Sequence, residues 1–151
     1  MAANIFHPNE YKKMLARIHA LTASSPQQWG TLSIEQMLAH CAIQLKMALG
    51  TIPESGKAGP ALFRTAFGRW IGLYAFPWPK GSATPPVMNM QTNNAAVKDF
   101  ESEKKQLLSL LQQVQQKESF HAHQFFGAMN KKDWGRLIWK HLDHHLRQFS
   151  M

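Results

Sequence analysis

Cysteine is all but missing from this chain: Cys41 is the single one among 151 residues. An internal disulfide is therefore excluded, as is a Cys-rich zinc framework, so any metal site must rest on histidine and carboxylate. Long apolar runs are missing too. No stretch reaches the roughly 18 consecutive apolar residues of a membrane-spanning helix. The start, Met1-Ala2-Ala3-Asn4-Ile5-Phe6-His7-Pro8, carries no basic segment followed by an apolar one. A cytoplasmic protein with no membrane partner is expected. Acidic residues are scarce, nine Asp and Glu against 17 Lys and Arg, for a net charge of +8. Such an excess indicates nucleic acid only where the cations cluster. Here none of the runs exceeds two, and Lys12-Lys13, Lys104-Lys105 and Lys131-Lys132 read as solvated helix faces. No nucleic-acid partner is expected, whereas anionic small molecules would be drawn to this surface. Period-two alternation is also absent, which removes strands.

What is present is helical. With 44% hydrophobic residues the chain can bury one core, and residues 1–151 read as a single domain. From about Asn9 to Ala23, Tyr11, Met14, Leu15, Ile18 and Leu21 recur at three and four spacing behind Pro8, a residue suited to a first helical turn. Ser33-Ile34-Glu35-Gln36 matches a capping box that opens a second helix running to Leu49, before Gly50. Residues 50–94 are rich in breakers, Pro53, Gly56, Gly59, Pro60, Pro77, Pro79, Gly81, Pro85 and Pro86 among them. Leu62, Phe63, Phe67, Trp70, Ile71, Leu73 and Tyr74 mark one short apolar helix inside this crossover. A further helix fits about Ala95–Lys117, and the last begins after the N-cap Asn130 and continues to about Phe149. Four long helices with one extended connection predict an all-α four-helix bundle.

Three of the eight histidines fall within five residues, His141, His144 and His145. His141 and His145 are four apart, so on a helix they share a face and can hold one ion between them. They lie on the stripe of Trp134, Leu137, Ile138 and Gln148, which turns them inward, while His144 sits at its edge and Lys140, Asp143 and Arg147 lie outside it. Trp139 and Leu146 point to the back of the helix, toward the middle segment or a second subunit. A catalytic centre takes a third protein ligand, and His40 on the second helix is the best candidate. His40 shares its face with Gln36, Met37, Gln44 and Met47, a mixture that suits a pocket lining or a partly exposed surface.

Each of these signals has a plainer alternative. The pair can be two satisfied core histidines, since no Glu accompanies it as in H-E-x-x-H. Cys41 diverges from His40 by about 100° on a helix and reads as a buried, inert thiol. The tryptophans are mostly core, although Trp29, Trp70 and Trp78 come from loops or the crossover and could wall a pocket. His7, His19, His121 and His123 default to surface roles.

Several stretches resemble the DinB/YfiT-like superfamily, in a branch of unknown function. They are Trp29-Gly30-Thr31-Leu32-Ser33 running into Gln36 to Cys41, Pro77-Trp78-Pro79-Lys80-Gly81, Thr84-Pro85-Pro86, His123-Gln124-Phe125-Phe126-Gly127, and Trp134 to Phe149. Gln124 departs from the proline expected after the histidine. The resemblance implies a DinB-like bundle holding a divalent metal, nickel or zinc, on His40, His141 and His145. Better-studied relatives are thiol-dependent S-transferases, a mycothiol-dependent isomerase and metal-dependent hydrolases. The expected function is a metal-dependent enzyme acting on a small-molecule substrate, with S-transfer from a low-molecular-weight thiol placed first. A hydrolase, or a metal-free helical protein that binds a ligand or partner, is the alternative. His144, Gln44 and Gln148 are the expected orienting or proton-handling groups, and a homodimer is expected by the same resemblance.

Overall fold

The computed structural model describes residues 2–52, 59–81, 90 and 97–151. Pro53, Gly56 and the Thr84-Pro85-Pro86 piece lie outside the described residues. Among the described residues the chain is all-helical, with α1 (Pro8–Ala20), α2 (Ile34–Leu49), α3 (Ala66–Trp70), α4 (Phe100–Gln115) and α5 (Lys131–Arg147), and it contains no strand. The long helices α1, α2, α4 and α5 form a four-helix bundle, the architecture the apolar spacing predicts.

Local chemistry sets the helix ends. Proline occupies the first turn of α1. This helix stops at Ala20, before the expected Ala23, because Lys104 of α4 donates to the His19 and Leu21 carbonyls at 2.9 Å and so caps the end from outside. The capping box of α2 is complete: Ser33 Oγ accepts from Gln36 N–H, and Gln36 Oε1 accepts from Ser33 N–H. Gly50 ends α2 in the left-handed region at φ 73°, where a side chain would be strained. Helix α4 starts at Phe100, where Asp99 accepts from Ser102 N–H and fixes the first turn; the expected start near Ala95 lies outside the described residues. Asn130 caps α5 through Asp133 N–H.

The expected short helix of the crossover is broken into three pieces: a 3₁₀ turn at Ala61–Arg64, α3, and a π turn at Ile71–Ala75. Thr65 restarts the helix by accepting from Gly68 N–H. Within these pieces only Gly68 and Leu73 are buried. Leu62, Phe67, Trp70 and Phe76 are exposed. With few apolar contacts to direct it, the segment follows its own capping residues and does not form one continuous helix.

The core joins all four long helices: Met14 and Ile18 from α1, Met37, Leu38 and Leu45 from α2, Leu107 and Leu111 from α4, and Trp134, Leu137 and Ile138 from α5. Truncating any one of these leucines to alanine costs about 2–5 kcal/mol. Leu146 is buried in the same core, and Trp139 turns to α1, donating to Glu10 Oε2 at 2.9 Å. The back of α5 is thus covered within the chain by α1. Arg17 of α1 also holds Asp143 of α5 at 2.8 Å and the Met151 carbonyl at 2.8 Å.

Helices α2 and α5 run antiparallel. Trp134, at the start of α5, donates to the His121 carbonyl at 3.0 Å, while the His121 ring lies against Gly50 at the end of α2. This pairing brings the middle of α2, with His40, opposite the last turns of α5, with His141 and His145.

Candidate metal centre

His40, His141 and His145 converge. Their ring centroids form a nearly equilateral triangle with sides of 4.8, 4.5 and 4.5 Å. All three are buried, at 4, 4 and 9% exposure. One nitrogen from each lies within 4.8 Å of the other two, and the Nε2 atoms of His40 and His141 are 2.9 Å apart. Two nitrogens sharing an ion at about 2.1 Å lie no more than about 4.2 Å apart. The closest pair is already inside that span, and the widest needs a shift of well under an ångström.

The rest of the chemistry also fits a cation. Burial, with His40 beside it, pushes the pKa of His145 down to about 3, against a smaller opposing effect of Gln148. Burial and the neighbouring His145 and His40 hold His141 well below the ordinary imidazole range. The His141 and His145 rings are therefore neutral at physiological pH, the form that ligates metal. Gln148 Oε1 accepts from His145 Nδ1–H at 2.6 Å, which leaves Nε2 with a free lone pair. His141 Nδ1 is buried without a partner among the described residues. Without an ion, one Nε2 of the His40–His141 pair donates to the other, a proton that a cation bound by both rings would displace.

Gln148 is placed by the chain end and by the loop before α2. Gln28 N–H donates to the Gln148 carbonyl at 2.7 Å, and Gln28 Nε2 donates to Ser150 Oγ at 2.6 Å. Gly30, at φ 87°, passes so close that a Cβ there would lie 2.7 Å from Gln148 Nε2. The adjacent Trp29 is thereby set against His144 at the edge of the cluster.

Two indoles flank His144 there. His144 is half-buried, 6.2 Å from the Trp29 ring and 6.3 Å from the Trp78 ring, and 5.1 Å from His145. Trp78 also lies edge-on to His141 at 6.0 Å. Burial lowers the His144 pKa, with Asp143 opposing. Gln44 is buried one turn from His40, and its Oε1 has no partner among the described residues.

Cys41 is fully buried and turns the other way, its thiol donating to Met37 Sδ at 3.8 Å; burial pushes its pKa up. It takes no part in the cluster. Three residues depart from the sequence reading. Lys140, off the apolar stripe, is buried against the crossover, where it donates to the carbonyls of Gly72, Leu73 and Phe76. His123, read as a surface residue, is buried at 6% exposure, and its Nδ1 accepts from the N–H groups of Phe125 and Phe126 at 3.1 and 3.3 Å. A tight turn ending at Gly127 was the available signal for His123, since such turns use side-chain acceptors. Lys140 carried none. Trp70 does not join Trp29 and Trp78; it lines a separate open cleft of about 420 Å³ with Ala66, Arg69, Tyr74, Asn130, Lys132 and Asp133.

Comparison with curated proteins and with solved structures finds no match. Residues 6–151 match the family described as "Protein of unknown function (DUF1569)". The match spans nearly the whole bundle, both helices of the histidine cluster included, and the chain belongs to that family.

Proposed function

We propose that this protein is a metal-dependent enzyme of the DinB/YfiT-like type, most directly a thiol-dependent S-transferase. His40, His141 and His145 would hold a divalent cation, nickel or zinc. The observation that carries this reading is the burial of three converging imidazoles beside half-buried Trp29, Trp78 and His144. A divalent cation bound there supplies Lewis acidity undiminished by any anionic ligand, which favours the ionised form of a low-molecular-weight thiol at neutral pH.

The chain's own side chains supply positioning. Gln148 holds His145 in the tautomer with Nδ1–H, so that Nε2 faces inward. Gln44 is the unpartnered acceptor nearest along α2 to His40, suited to an N–H brought in by a ring or a substrate. His144, beside both indoles and the His145 ring, would handle a proton for a ligand bound at the cation. The homodimer implied by the same resemblance would cover the exposed Leu62, Phe67, Trp70 and Phe76; a monomer in sedimentation at micromolar concentration contradicts it.

Thiol-consumption assays with several thiols and electrophiles, in the presence of Ni²⁺, Zn²⁺ or Mn²⁺, test the activity. Consumption that requires the cation and is lost in His40→Ala/His145→Ala supports S-transfer. Ester or amide cleavage without thiol loss replaces it with a hydrolase, and inactivity throughout favours a metal-free binding protein.

A further inference from the structure

The open cleft of about 420 Å³ lies between the crossover and the start of α5, more than two turns before His141, and none of the three clustered histidines lines it. Its volume falls within the range of about 300–1,000 Å³ usual for small-molecule sites. Three elements build it: α3 supplies Arg69 and Trp70, the π turn supplies Tyr74, and the first turn of α5 supplies Lys132 and Asp133.

Charge in this cleft is unbalanced. Among the described residues neither Arg69 nor Lys132 pairs with a carboxylate. Asp133, which also lines the cleft, already accepts the Tyr74 hydroxyl at 2.8 Å, and it is one carboxylate against two cations. The Arg69 guanidinium is held in place, since its Nη1 donates to the Arg64 carbonyl, yet its Nε–H is buried without an acceptor among the described residues. A buried donor in that state gains from an acceptor brought to it. The net charge of +8 adds a general attraction for anions.

The apolar part of the lining is aromatic. Trp70 is 55% exposed, although a tryptophan is usually mostly covered, and a flat ring laid on its indole removes apolar area of both from water. We infer that the cleft is a second ligand site and takes small aromatic anions, the ring stacking on Trp70 and a carboxylate or phosphate pairing with Arg69 and Lys132. The planar fork of Arg69 suits either group. A ligand there joins α3 to the first turn of α5, which the Tyr74–Asp133 bond already links to the crossover. The site stands apart from the proposed metal chemistry and needs no ion at the histidines.

The test titrates metal-free, untagged protein with benzoate, with phenyl phosphate and with benzamide, the neutral isostere of benzoate, and follows indole signals in ¹H–¹⁵N correlation spectra. The Trp70 signal, identified by its loss in Trp70→Phe, should move with both anions, and these should bind at least about tenfold more tightly than benzamide. The tighter of the two names the anionic group. Arg69→Gln and Lys132→Gln should each weaken the anions about three- to tenfold and leave benzamide unchanged. Lys132 is exposed, so its variant keeps the test decisive if Arg69→Gln fails to fold. Equal affinity for anions and benzamide, movement of other indole signals without that of Trp70, anion binding that survives both substitutions, or no binding of any probe below about 10 mM overturns the inference. The last outcome counts against it equally if a second copy covers the cleft.

Discussion

Replacing Lys140 with methionine keeps the apolar stem and removes the ammonium. That ammonium, on a residue only 6% exposed, donates to Gly72 O at 2.8 Å, to Leu73 O at 3.4 Å and to Phe76 O. Burial, with Arg136 adding to it, lowers the Lys140 pKa to about 8, which leaves the group charged at neutral pH. Two of its three acceptors keep a second donor in the variant: Trp78 Nε1 for Gly72 and Arg136 Nε for Leu73. The Phe76 carbonyl loses Lys140 outright. One charge-assisted bond is worth about 1.5–3 kcal/mol, and relief from burying the ammonium returns part of it, so a net loss of about 2 kcal/mol is expected. For a chain of this length each kcal/mol lowers Tm by about 2–4 °C, giving a fall of about 4–8 °C in circular-dichroism melting at pH 7. A Tm for Lys140→Met within about 1 °C of the wild type would refute the claim that this ammonium fastens the crossover to α5.

Other outcomes follow from buried groups. Burial lowers the His123 pKa from 6.5 to about 4. Below pH 6.5 the unfolded chain gains a proton that the folded ring refuses, so this contribution is complete above pH 6.5 and is lost as pH falls toward 4. It amounts to about 1.4 kcal/mol per pH unit, or about 3 kcal/mol in all; urea titrations of His123→Gln should show a slope shallower by one proton over that window, and an unchanged slope contradicts the burial argument. Gln148→Leu should reduce metal affinity about 10–100-fold by freeing His145 to the wrong tautomer, with helical content unchanged. Cys41 should resist thiol reagents in the native protein and react fully in denaturant; rapid native labelling would contradict its placement.

Much of this architecture is legible in the sequence because local rules and tertiary packing agree there. Ser33 with Gln36, and Asn130 with Asp133, announce helix starts through side chains that must satisfy orphan N–H groups, and the spacing of His141 and His145 fixes their common face. The end of α1 is not legible, since its cap, Lys104, comes from another helix. The crossover misleads because Leu62, Phe67 and Trp70 look like a buried stripe yet stay largely exposed, so capping by Thr65 decides its shape. Lys140 looks solvated by periodicity alone; only the approach of the Gly72–Phe76 carbonyls makes its burial favourable. His123 looks like an exposed loop residue until the turn's own N–H groups are counted. The pairing of Gln148 with His145 follows from their three-residue spacing, whereas the placement of Trp29 depends on Gly30 passing close to Gln148, a contact between distant stretches of chain.

The central claim is that His40, His141 and His145 together hold one divalent cation. Untagged protein, loaded with Ni²⁺ or Zn²⁺ and exhaustively dialysed, is measured by elemental analysis beside a folded His40→Ala/His145→Ala variant. The account predicts close to one ion per chain in the wild type and almost none in the variant. Equal metal content in the two would contradict it.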